Sequence, residues 1–331
     1  MPDLELAFAI GDNPRSRAIL TGAVKPQGIN LHASKVHGSE IFWRQLHFQE
    51  FEASELSMSS LMIARARGDD TWIGLPVFTS RSFFHLGILV REDAGIAAPA
   101  DLVGKRVGIP EYQQTAALWK RAVLLHEFGV APEQMHWFME RQPEMSHGGA
   151  TGFVAPDGVD FKYVPADSNI GEMLMAGELD CALGYITDNN LVDKSRIQFG
   201  PGSGVRRLFP DPVAEARRYY TSSGFFPINH CVAVRRDVAE AHPWVMLNLY
   251  SAFLEAKERA REAVVTDLGP FLEAGVVGGE IESQLSSDLF PYGVQANRKI
   301  LEAMTSYSHE QGLTPRKLSL EEIFYPPSLE L

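Results

Sequence analysis

The chain is 331 residues long, more than one hydrophobic core comfortably serves, so two lobes or domains are expected. With 45% hydrophobic and 22% charged residues it has an ordinary globular composition, which excludes a disordered, collagen-like or disulfide-scaffold chain. A formal net charge of −12 argues against a broad nucleic-acid or anionic-membrane surface, while arginines gathered in a cleft remain free to hold a small anion.

Residues 4–10 alternate and then run apolar, as a buried strand does. Met1-Pro2-Asp3 leads straight into this strand with no basic n-region and no long apolar h-region, so a cytoplasmic protein is expected. The polar break Gly11-Asp12-Asn13-Pro14 precedes a helix start over 15–20, an arrangement suited to an anion. A second strand begins at 28–32, and a helix rich in aromatics is expected over 41–51. Glu55-Leu56-Ser57-Met58-Ser59-Ser60 precedes a helix at 61–68, and strands follow at 72–77 and 83–90. A helix over 116–128 stops at Gly129, a usual C-terminal residue. Residues 140–160 read as a loop, 171–176 as a helix, 179–185 as a strand and 226–234 as another apolar strand. Beyond 238 the pattern is helical, at 240–264, 279–288 and 294–311, with an extended tail. No run of about 18 apolar residues occurs, so no membrane span is expected. The two cysteines, Cys181 and Cys231, lie far apart and show no metal-ligand spacing; the sequence allows a disulfide without demanding one, and two reduced, buried thiols is the plainer reading.

Strands alternating with helices imply a mostly parallel sheet in each lobe. The apolar strands at 83–90 and 228–234 flank the middle of the chain, as they would if it crossed into a second lobe and returned. The lobes are expected at 1–92 with 227–331, and at 93–226, with the ligand between them at strand ends and helix N-termini.

Asp101-Leu102-Val103-Gly104-Lys105-Arg106-Val107-Gly108-Ile109-Pro110, then a polar turn and a helix ending at Gly129-Val130, resembles the opening of the second lobe in type II periplasmic binding proteins. Gly177-Glu178-Leu179-Asp180-Cys181-Ala182-Leu183 is similar to the segment closing that lobe's sheet, and Phe226-Pro227-Ile228-Asn229-His230 to the return crossing. Within that superfamily the chain resembles the 4,5-dihydroxyphthalate decarboxylase family over nearly its whole length. The resemblance is carried by Glu55-Leu56-Ser57-Met58-Ser59-Ser60, the stretch from Pro76 to His85, Pro110-Glu111-Tyr112-Gln113-Gln114-Thr115 and Leu289-Phe290-Pro291-Tyr292-Gly293.

The resemblance implies a two-lobed α/β fold of the type II periplasmic-binding-protein kind, with two crossover strands as hinge. It implies a small aromatic carboxylate substrate, decarboxylated by protonation of a ring carbon: 4,5-dihydroxyphthalate to protocatechuate and CO2, or a close analogue. No metal and no organic cofactor is expected, no nucleic-acid or membrane partner, and homo-oligomerisation is left open. The alternative is a non-catalytic solute-binding protein or sensor for a small anion on the same fold.

Such a reaction needs a base near the catechol, an acid near the carbon losing CO2, and cations on the carboxylate that stays. Arg81, Arg15 and Arg17 are candidates for the carboxylate, because a guanidinium forks onto two oxygens, against the alternative of structural salt bridges or solvated surface. His85 and His230, on the two expected crossover strands, are candidate acids or bases, against the reading as satisfied core histidines. Glu111 is a further candidate acid or base. Ser59 and Ser60 before one helix, and Tyr112, Gln113, Gln114 and Thr115 before another, are candidate ligand contacts or caps. Asp188 and Asn189, beyond a strand end, are where a second-lobe contact falls. His136 and His147 read as loop residues without metal-ligand spacing. The missing Gly-x-Ser-x-Gly elbow argues against a serine hydrolase, and Gly200-Pro201-Gly202-Ser203-Gly204 lacks the ending of a phosphate loop.

Overall fold

Residues 3–278, 281 and 287–331 are described by the computed structural model. The first sheet takes its strands from both ends of the chain. Its order is β2 (Ile29–Lys35), β1 (Leu4–Ile10), β3 (Ala53–Ser57), β11 (Ile228–Arg235) and β4 (Trp72–Arg81). β1 pairs in parallel with β2 and β3, whereas β11 runs antiparallel between β3 and β4. Covered on both faces, β3 is buried at all five positions and β11 is the apolar, β-branched run that such a central strand requires.

The second sheet is built from the middle of the chain, in the order β10 (Val205–Arg207), β5 (Leu89–Arg91), β9 (Cys181–Ala182), β6 (Arg106–Ile109), β7 (His136–Met139) and β8 (Asp160–Tyr163). β6, β7, β8 and β9 are mutually parallel, and β5 and β10 add antiparallel pairs at one side. The parallel strands of the two sheets end near the same cleft, and five helices carry the chain into it or away from it. These are α1 (Arg17–Leu20), α2 (Gly38–Phe48), α3 (Met58–Ala66), α4 (Thr115–Phe128) and α5 (His147–Thr151). α4 closes in a left-handed turn at Gly129, φ 70°, which a glycine adopts without strain. Its Trp119 indole donates to the Ile228 carbonyl at 2.7 Å, fixing the helix against the start of β11.

Several local expectations are corrected. The strand expected over 83–90 is a 3-10 turn at Phe84–Gly87 followed by the three residues of β5. A short apolar run does not by itself distinguish a strand from buried irregular chain, and here the aromatic side chains pack as a knot, Phe83 against Tyr219 and Phe226. The strand over 179–185 shrinks to β9. The loop over 140–160 contains α5, and His136 opens β7 instead of lying in a loop. The tail is not extended throughout, since Leu320–Ile323 is helical and Phe324 bridges to Gly74. The helix expected at 279–288 lies largely outside the described residues. Both cysteines are buried free thiols. No helix among the described residues is long and apolar enough to cross a membrane.

Candidate functional site

A cavity of about 270 Å³ opens between the sheets. From the first sheet side it is lined by His37, Gly38, Ser39 and Phe42 at the start of α2, Ser57 at the end of β3, and Asn229 and His230 at the start of β11. From the other side come Gln114, Thr115, Ala116 and Lys120 of the α4 entrance, Arg141, His147, and the Gly184–Ile186 segment with Asp188. A volume just below the roughly 300–1,000 Å³ of drug-sized pockets suits one substituted aromatic ring.

His230 is the histidine whose surroundings fit proton transfer. The antiparallel register sets His230 opposite Ser57 and Val232 opposite Glu55, so His230 and Glu55 are diagonal neighbours on one face. The His230 Nδ1 lies 2.7 Å from Glu55 Oε1. Glu55 also accepts the Gly11 amide at 2.9 Å and the Thr79 hydroxyl at 2.7 Å. Burial alone raises the Glu55 carboxyl, but the His230 charge and hydrogen bond, with the Gly11 and Thr79 donors, outweigh it and hold the group at about 2. A permanently ionised carboxylate only accepts, so Nδ1 of His230 carries a proton. Nε2 has no hydrogen-bond partner among the described residues, and Phe42 packs edge-on to the ring at 4.7 Å between centroids.

A second carboxylate–imidazole pair sits behind the opposite wall. Glu111, fully buried, accepts from Arg141 Nη1 at 2.6 Å, the Ser146 hydroxyl at 2.5 Å and the Gly148 amide at 2.8 Å, and pairs with His147 Nε2 at 2.6 Å. Gln113 donates to it as well. A Cβ at Gly148 would displace the Gln113 amide from this carboxylate, so glycine suits the position. Burial raises the Glu111 carboxyl, and His147, Arg141 and Ser146 bring it down to about 2. The other nitrogen of His147 meets the Ser60 hydroxyl at 2.6 Å, and Arg141 also grips Asp193 at 2.8 and 3.0 Å and Ser39 at 2.7 Å. This network ties α2 and α3 of the first sheet side to the loops of the second.

The remaining sequence candidates are dispersed. His85 is not on a strand and does not line the cavity. It is buried against Phe209 and Tyr219, its Nε2 is 3.1 Å from Glu215, and burial pushes it down to about 4. Arg81 is spent on the Phe226 and Pro291 carbonyls and Asn297, at 3.2, 2.8 and 2.5 Å. Arg15 donates to the Thr79 carbonyl at 2.9 Å and lies 4.0 Å over the Phe290 ring, facing a separate hollow beside Val264 and Leu289. Arg17 is exposed, paired with Asp12. Tyr112 is buried among Trp137, Phe153 and Arg121, and Gln113 bonds Ser146. The Ser59 amide donates to Thr115 Oγ1 at 3.0 Å. Gln114, Thr115, His230 and Asp188 do line the cavity, while Asn189 borders a neighbouring groove with Gly11, Asp12 and Lys35.

The structure adds residues that the sequence reading did not single out: Glu55, His37, Arg141 and Lys120. Lys120 carried a signal, since Lys120-Arg121 interrupts an otherwise apolar helix and cannot both reach solvent if that helix is core. Arg121 is spent on the Tyr112 carbonyl and Gln311. Among the described residues no cluster of three His, Cys, Asp or Glu is arranged to hold a metal ion.

No family model matches the chain. The 4,5-dihydroxyphthalate decarboxylase of Comamonas testosteroni is 33% identical over 337 aligned residues, covering 100% of this chain and 99% of the relative. The 4,5-dihydroxyphthalate decarboxylase of Pseudomonas putida is 34% identical over 184 residues, covering 56% of this chain and 71% of the relative. In fold the chain is similar to the alkanesulfonate-binding protein SsuA from Xanthomonas axonopodis pv. citri, with a TM-score of 0.52 at 13% identity, covering 98% of this chain and 99% of that one.

Proposed function

The chain belongs to the 4,5-dihydroxyphthalate decarboxylase family and is a carboxy-lyase, and from that premise we propose that it converts 4,5-dihydroxyphthalate, or a close analogue, to protocatechuate and CO2 in the cleft between its sheets. The lobes in this reading are 1–92 with 227–331, and 93–226. The observation that carries the mechanism is the His230–Glu55 pair, whose outer nitrogen faces a cavity sized for one ring.

The chemistry requires the bond between ring and carboxylate to break while its electron pair stays on the ring carbon. That carbon takes a proton and CO2 leaves. The hydroxyl para to the departing carboxylate feeds electrons into the ring, which is what makes protonation of the ring carbon feasible. In this reading His230, protonated on both nitrogens, delivers the proton from Nε2, and Glu55 holds the imidazole in orientation and stabilises its single positive charge. Asn229 and Gln114 supply hydrogen bonds to the ring hydroxyls from the cavity wall. The buried Glu111–His147–Arg141 network shapes the wall and takes no proton from the substrate, since each of its groups is already engaged.

The test is CO2 release from 4,5-dihydroxyphthalate by the purified, metal-stripped protein, with protocatechuate followed in parallel. Equimolar CO2 and protocatechuate is the expected result. Binding of the compound without release of either product would contradict the proposal and favour a solute-binding role.

A further inference from the structure

Among the described residues, every basic side chain lining the cavity has a carboxylate beside it except one. Arg141 is paired with Glu111 and Asp193, His147 with Glu111, His230 with Glu55, and His37 faces the exposed Asp188 at 3.9 Å. Lys120 is 6% exposed and lines the cavity, yet no hydrogen-bond or ion-pair partner for its ammonium exists among the described residues. Burial without a counter-charge pulls the ammonium down to about 8. Its charge also acts through space on His85, whose protonated form it disfavours further.

A buried, unpaired ammonium is costly to fold, and such groups recur where a ligand completes them. One turn before Lys120, on the same side of α4, Ala116 lines the cavity together with Thr115. Neither amide at this helix start donates to a protein group among the described residues, and the N-cap Gln114 provides no side-chain cap. A fourteen-residue helix thus points two free amides and one uncompensated ammonium into one corner of the cavity.

We propose that Lys120 and the first amides of α4 form a seat for a carboxylate of the ligand, the one retained on the ring, so that the cleft selects aromatic dicarboxylates over monocarboxylates. The identity of the retained carboxylate rests on the decarboxylation proposed above, whereas the seat itself rests on geometry and charge. Holding that carboxylate at Lys120 fixes which ring carbon is presented to His230, which enters the cavity from β11 beside α4.

The probes are phthalate and benzoate, which lack the ring hydroxyls, titrated calorimetrically into the wild type, Lys120→Met and Lys120→Arg. Wild type should bind phthalate more tightly than benzoate by about tenfold or more, as a charged hydrogen bond implies. Lys120→Met should erase that difference and raise the melting temperature of the ligand-free protein, because it removes a buried charge of similar volume. Lys120→Arg should recover part of the preference. At pH 8, phthalate binding should take up protons in the wild type and fewer in Lys120→Met. Phthalate affinity unchanged in Lys120→Met, or absent from the wild type, overturns the seat. If 4,5-dihydroxyphthalate is turned over and Lys120→Met keeps KM unchanged, the seat fails and the reaction stands. If phthalate binds through Lys120 but no CO2 is released, the reaction fails and the seat stands.

Discussion

Among the described residues two carboxylate–imidazole pairs meet one cleft from opposite walls, and they differ in what the second ring nitrogen meets. In the pair of Glu111 and His147 both imidazole nitrogens are engaged, by the carboxylate and by Ser60, and the carboxylate carries Arg141, Ser146 and Gly148 besides. In the pair of Glu55 and His230 one nitrogen is held and the other faces open space. A fully satisfied network rigidifies its surroundings, while a half-satisfied one at a cavity edge is equipped to exchange a proton. The same residue types therefore serve structure on one wall and chemistry on the other.

Removing the structural carboxylate breaks this contrast most severely. Glu111→Ala leaves Arg141 and His147 buried without their shared anion and should destabilise the protein by about 3–5 kcal/mol, read from urea unfolding midpoints. Glu55→Gln keeps the shape but loses the charge that orients His230. It should lower kcat by about a hundredfold, within the usual range for general acid–base groups, with a small change in KM. Wild-type kcat in that variant would place the two pairs in the same structural class.

Acid sharpens the comparison. Glu55 and Glu111 sit at about 2 in the folded protein against an ordinary 4.5, so the unfolded chain takes up their protons first. The stability they contribute is full above pH 4.5 and is lost as pH falls toward about 2. His85, depressed from 6.5 to about 4, adds a higher window, because the unfolded state protonates first between those values and stability declines as pH falls through them. Replacing His85 with Phe should flatten the decline between about pH 6.5 and 4 and leave the lower one, a difference read from melting temperatures across that range. The smallest effect belongs to Arg17, whose exposed pairing with Asp12 predicts a change within about 0.5 kcal/mol and an unaltered KM on Arg17→Ala.

Much of the fold was legible because it is written locally. The apolar run of β1, the helix ending at Gly129 and the apolar return strand each stand where periodicity and punctuation put them. The run at Phe83–Val90 misled because its aromatic residues fill a knot around Tyr219, a contact formed by residues more than a hundred positions away in sequence. The site was harder still. His230 was visible as a histidine in an apolar strand, but its partner Glu55 lies 175 positions earlier and only the β3–β11 register joins them. The arginines were attractive by type, yet Arg81 and Arg15 satisfy backbone carbonyls, a role that residue identity does not reveal. Lys120, hidden in an apolar helix, was readable from its company alone.

The central claim is that His230 supplies the proton to the ring. Its most direct test is the rate of protocatechuate formation from 4,5-dihydroxyphthalate by His230→Gln beside the wild type, with both melting curves recorded. A loss of about 10²–10⁴-fold in kcat at an unchanged melting temperature is the result this account expects. A folded His230→Gln protein that works at the wild-type rate would contradict it and move the proton donor elsewhere in the cleft.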